Sequence, residues 1–134
     1  MDTPSIVFVH GFGTSHNATW VTNGWTALLE DAGRDVIGID MLGHGTAEKP
    51  TDPDAYENIE ENVLSQFPDT PVDAVGFSMG AVVLLHLAAT APSRFNRLVV
   101  SGVGKNLFER DRNFRDAIAD AVETGSADSP ELRY

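Results

Sequence analysis

The sequence predicts a three-layer α/β/α fold built on a mostly parallel sheet. Two observations carry that prediction. Four short runs are apolar at successive positions and rich in β-branched residues, as strands buried on both faces must be. The segments between them place apolar residues at helical spacing. Strands separated by helices call for parallel pairing through right-handed crossovers.

Ser5 to His10 (Ser-Ile-Val-Phe-Val-His) is the first strand. Trp25, Leu28, Leu29 and Ala32 then fall at i, i+3, i+4 and i+7, an amphipathic helix that Gly33 is expected to end. Residues 35–40 read as a second buried strand. The next helix is expected to take Asp52 as N-cap and Pro53 in its first turn, and to bury Tyr56, Ile59, Val63, Leu64 and Phe67. Pro68 to Pro71 is a turn, and residues 72–76 form a third strand. Met79 to Ala91 is apolar on nearly every side, which predicts a helix buried between the sheet and its neighbours. Residues 97–101 (Arg-Leu-Val-Val-Ser) are the fourth strand.

Beyond that strand, Asn106 to Thr124 reads as one amphipathic helix, with Phe114, Ile118, Ala121 and Val122 on one side and Gly125 at its end. Ser129-Pro130-Glu131 carries the signals of another helix start, yet the sequence stops at Tyr134. A truncated chain is therefore the expectation.

The 134 residues suffice for one domain with a hydrophobic core. Twelve Asp and eight Glu against seven Arg and two Lys give a net charge of −11. Such a surface repels phosphate backbones and anionic lipid, so neither nucleic acid nor membrane is an expected partner. The absence of cysteine rules out disulfides and thiolate metal sites. No residues show metal-ligand spacing or a phosphate loop, so neither metal nor cofactor is expected. The N-terminus has no basic leader, and a cytoplasmic location is the default reading.

The chemistry concentrates at Gly76-Phe77-Ser78-Met79-Gly80. A Gly-x-Ser-x-Gly string arises by chance in about one chain in twenty of this length, so context must decide. Here it joins a buried strand to a buried helix, where a sharp turn pushes the serine Oγ into the open. The helix N-terminus beneath it favours negative charge at the serine. Ser78 is thus the candidate nucleophile. His10-Gly11-Phe12-Gly13 follows the first strand and, in a parallel sheet, lies at the same edge. An oxyanion needs two donors, and the backbone N–H groups of Phe12 and Met79 are the candidates.

These stretches resemble the α/β-hydrolase superfamily. Residues 7–13 are similar to its oxyanion-loop motif, Asp40-Met41-Leu42-Gly43-His44-Gly45 to its Asp-x-x-Gly-x-Gly turn, and residues 76–80 to its nucleophile elbow, in family order and spacing. The resemblance covers residues 5–104 well. It implies that residues 1–104 are the N-terminal part of the hydrolase core and residues 105–134 the start of the variable lid. It also implies attack by Ser78 on an acyl carbon, with a histidine as base and a carboxylate orienting it. Serine at this position argues against the dehalogenase and epoxide-hydrolase branches. His10, Gly11, Phe12, Trp20, Phe77 and Phe108 are the expected pocket residues, suited to a small ester-type substrate.

The triad itself is incomplete. The family order is serine, acid, histidine, and the one histidine after Ser78 is His86, roughly 12 Å along the same helix. His10 reads as a brace of its own turn, and His44 with Asp40 as a turn-stabilising pair. His16 lies in a loop, Asp73 stands at the wrong end of its strand, and Glu109 and Asp111 open the lid helix. The missing strands would also leave residues 97–101 as an exposed apolar edge, a route to self-association. Two functions follow as competing expectations: a serine hydrolase completed by C-terminal residues, and a non-catalytic binding protein of the same fold.

Overall fold

The computed structural model describes residues 3–105, 109 and 112–132. The chain divides into two compact units, Met1–Val103 and Gly104–Tyr134. The first holds a four-stranded parallel sheet of β1 (Ile6–Val9), β2 (Val36–Ile39), β3 (Val72–Phe77) and β4 (Phe95–Ser101). The spatial order is β2-β1-β3-β4, so the chain steps outward to β2, crosses back past β1 and ends on β4. Val9 lies level with Ile39 on one side and Gly76 on the other, which brings three strand ends to one edge.

Alternation along the strands sorts side chains between two faces. Val7, Val9, Ile39, Val72 and Ala74 face α2 (Ile59–Leu64) and α3 (Met79–Thr90). They form the main core with Met41, Val63, Phe67, Val83, Leu84 and Leu87. The opposite face carries a smaller cluster of Ile6, Phe8 and Trp20, with Leu29 of α1 (Trp25–Asp31) against it. Trp20 stacks on Phe8 with ring centroids 4.4 Å apart.

Several expectations change here. The second helix breaks in two: Asp52 caps a single 3₁₀ turn, Pro53–Tyr56, and α2 starts only at Ile59. Val63 and Phe67 are buried as expected, whereas Tyr56, Ile59 and Leu64 are half-covered. The stripe on α1 is not buried: Trp25 is 51% and Leu28 61% exposed, and only Leu29 packs on the cluster of Ile6, Phe8 and Trp20. α3 is also less enclosed than expected: Val83, Leu84 and Leu87 are buried, whereas Val82 and Leu85 are exposed. β2 is an edge strand rather than a buried one, while β4 is the exposed edge expected of it, with Val99 55% exposed.

In the second unit, α4 (Arg112–Thr124) ends at Gly125, whose positive φ of 71° suits glycine. A 3₁₀ turn, Pro130–Leu132, follows where the Ser-Pro-Glu start signal stands. The expected helix start at 106–108, 110 and 111 lies outside the described residues. Among the described residues no helix is long and apolar enough to cross a membrane.

Candidate active site

Ser78 occupies a turn that few residues tolerate. Its φ of 52° and ψ of −114° make it the one described non-glycine residue with positive φ. Such a conformation costs about 1–3 kcal/mol and persists only where its surroundings enforce it. Here the Ser78 N–H donates to Ser101 O of β4 at 2.9 Å, and Ser78 O accepts from Val82 N at 3.1 Å in the first turn of α3. The flanking glycines make the turn possible. A Cβ at Gly76 would stand 2.8 Å from the Ala81 backbone, and one at Gly80 would strike the carbonyl oxygens of Val9 and His10. Ser78 is half-buried, and among the described residues nothing hydrogen-bonds its Oγ.

Phe77 and Met79 diverge from Ser78 to opposite sides. The Phe77 ring lies between Gly11 and Gly102: a Cβ would come within 3.1 Å of the ring at Gly11 and 2.8 Å at Gly102. Gly11 also approaches the Ser78 Cβ, so the loop after β1 and the elbow are in contact. Met79 lines a cavity of about 510 Å³ with Phe12, Gly13, Leu42, His44 and Tyr56. Phe77 and Trp20 instead line a separate cavity of about 720 Å³ on the α1 face, with Ile6, Phe8 and Val99. Of the expected pocket residues, Phe12 thus falls on one cavity, Trp20 and Phe77 on the other, and Gly11 on neither. Phe108 lies outside the described residues.

His10 does not line either cavity. It is fully buried, its Nδ1 lies 2.7 Å from Gly11 O, and its Nε2 accepts the Met41 N–H at 3.0 Å. Burial pushes its pKa below the ordinary histidine value; the Gly11 hydrogen bond opposes that shift, and the nearby His44 adds to it. The pairing expected between His44 and Asp40 is absent. Asp40 instead accepts from His16 N at 2.7 Å, Thr46 N at 2.8 Å and Thr46 Oγ1 at 3.0 Å. Burial alone would raise the Asp40 pKa, but these hydrogen bonds together with His10 hold it below the usual carboxylate value. His44 turns the other way: its Nε2 accepts the Gly13 N–H at 3.0 Å, and its Nδ1 faces Leu42 O at 3.1 Å. No sequence pattern signals that bond, because its partner is a backbone amide 31 residues away.

Among the described residues no base hydrogen-bonds the Ser78 side chain. His86 is exposed on α3 and approaches Glu60 at 3.9 Å. His16 lies over Gly38 of β2 with its Nδ1 buried and unpartnered, and burial lowers its pKa. Asp73, at the start of β3, binds Arg34 at 2.7 Å and Asn96 at 2.6 Å, a structural role. Among the described residues no group of three or more His, Cys, Asp or Glu stands close enough to hold a metal ion.

Comparison with known proteins agrees with this architecture. The family described as the alpha/beta hydrolase fold matches residues 4–130. An sn-1-specific diacylglycerol lipase of Mus musculus is 35% identical over 102 residues, 72% of this chain and 32% of the lipase. A 2-hydroxymuconate semialdehyde hydrolase of Pseudomonas sp. (strain CF600) is 33% identical over 103 residues, 72% of this chain and 35% of that protein. The crystal structure of an alpha/beta hydrolase enzyme from a deep-sea metagenome library superposes with a TM-score of 0.68 at 24% identity, covering 93% of this chain and 45% of that one. The chain thus spans about a third of the length of these curated relatives. With its sheet order, its elbow and a family match over nearly its whole length, the chain belongs to the α/β-hydrolase family.

Proposed function

We propose that this chain carries the nucleophile half of a serine hydrolase site for small ester-type substrates. The observation that carries the reading is Ser78, held at positive φ on the N-terminus of α3, with no hydrogen bond to its Oγ among the described residues. Ser78 Oγ attacks the acyl carbon, and the carbonyl oxygen becomes an oxyanion held by the N–H groups of Phe12 and Met79. The leaving alcohol departs, and water then releases the acid from the acyl-enzyme. The dipole of α3 supports the negative charge at each step. The names of the relatives, a lipase and a hydrolase, support hydrolysis as the reaction class.

The proton acceptor and its orienting carboxylate come, in this reading, from sequence beyond Tyr134, and the 134 residues alone turn over no ester. A fluorophosphonate probe read by mass spectrometry tests it. Stoichiometric labelling of Ser78 is expected in a product of the gene extended past Tyr134, and none in Ser78→Ala. A reading frame that stops at residue 134, or an extended product that leaves Ser78 unlabelled, would sink the proposal.

A second reading, a cytoplasmic ligand-binding protein of the same fold without catalysis, is favoured by the lack of any described histidine hydrogen-bonded to Ser78. Unlabelled Ser78 together with saturable binding of an ester would select it. The exposed edge of β4 supports self-association of the short chain, and a clean monomer by light scattering would exclude it.

A further inference from the structure

Two histidines join the turns that end β1 and β2, and they do so reciprocally. His10, from the first turn, accepts the N–H of Met41 in the second, and His44, from the second, accepts the N–H of Gly13 in the first. Both bonds measure 3.0 Å, both end on Nε2, and the two rings lie 5.0 Å apart. An imidazole that accepts at Nε2 must carry its proton on Nδ1. Each Nδ1 faces a carbonyl in its own turn, Gly11 O for His10 and Leu42 O for His44, so the same tautomer satisfies both ends of both rings.

We propose that His10 and His44 are positioning residues, a reciprocal clasp of two neutral imidazoles that fixes the loop bearing the Phe12 N–H. The proposal rests on the reading of Phe12 as an oxyanion donor. Phe12 lies between the two clasped positions, with Gly11 O under the His10 ring and Gly13 N on His44, and its own ring meets His44 edge-on at 5.8 Å. The peptide that must aim at the oxyanion is held on both sides by these bonds. Protonation of either ring at Nε2 removes the acceptor and frees its end of the loop. The titratable groups facing the pair are Asp40, whose Oδ1 lies 3.7 Å from His10 Nε2, His16 beside Asp40, and Tyr56 across the cavity from His44. The Asp40 carboxylate is already engaged by His16 N and Thr46, so it leaves the His10 nitrogen to Met41.

The test is nuclear magnetic resonance on the 134-residue chain, which needs no catalysis. Long-range ¹H–¹⁵N spectra near pH 7.5 are expected to show the Nδ1-protonated tautomer for both His10 and His44. The amides of Gly13 and Met41 are expected to exchange slowly. His44→Phe keeps an aromatic ring without the acceptor and should speed Gly13 exchange at least tenfold. His44→Gln places an amide oxygen near the Nε2 position, so it should restore protection. An Nε2-protonated tautomer at either histidine, or equal Gly13 exchange in the parent and His44→Phe, overturns the clasp. Should His44→Phe fail to fold, the tautomers of the parent chain decide. Ser78 left unlabelled in the extended product while Gly13 stays protected removes the catalytic reading and supports the clasp. Labelled Ser78 beside an unprotected Gly13 does the reverse.

Discussion

The two faces of the sheet are built from the same strands and have different fates. Toward α2 and α3, Val7, Val9, Ile39, Val72 and Leu84 lose all contact with water. Toward α1, the strand residues one position along leave Phe77 and Val99 open, and Trp25 stands beside them half in solvent. The strand residues themselves differ, since the open side also carries Asp73, Arg97 and Ser101. Cover differs as well: α2 and α3 pack on one face, while Leu29 of α1 packs on the other. A contiguous apolar surface of this kind marks a place that another element or molecule covers.

The contrast can be broken by substitution, and the largest effect is expected in the closed face. Leu84→Ala should cost about 3 kcal/mol in urea unfolding, since a fully buried leucine leaves a cavity. The matching change on the open face, Val99→Ala, should stay within about 0.5 kcal/mol. Equal losses at the two sites would show that the open face is covered in solution.

Gly80→Ala comes next, at about 2 kcal/mol, because its Cβ meets backbone oxygens of β1 that cannot rotate away. Acid should also act through the histidines at the sheet's edge. Burial holds His10 and His16 below the ordinary value of 6.5, so below that pH the unfolded chain binds more protons than the folded one. Stability is therefore expected to fall as pH drops from 6.5 toward the lowered folded values. The contributions of Asp40 and Asp73, whose pKa values are also lowered, persist in that window and fade only below 3.8. A denaturation midpoint that stays flat from pH 7 to 5 would contradict this. A shift of opposite sign, about 1 kcal/mol, is expected from Ser78→Gly, which relieves the positive φ. An unchanged or lower stability in that variant would mean the elbow carries no strain.

Much of this was legible in the sequence because it is local. The elbow reads directly from two glycines around Ser78, and the four strands from consecutive β-branched residues. The break between Tyr56 and Ile59 was not legible, since the apolar spacing there fits one continuous helix; Asp52 caps a turn that closes before α2 begins. The exposure of Trp25 and Leu28 was hidden for another reason. Periodicity reports which residues share a face, and says nothing of whether a neighbour is present to cover it. Within the site, the Gly13 bond to His44 escaped because it joins a side chain to a distant amide, and the same holds for Asp40 and His16 N.

The close approach of Gly80 to the end of β1 has a consequence for how the elbow sits on the sheet. There the first turn of α3 stands main chain against main chain, on the carbonyl oxygens of Val9 and His10. A backbone stop of this kind has no rotamer through which to yield, so any side chain at position 80 would move the helix carrying Ser78 rather than repack around it.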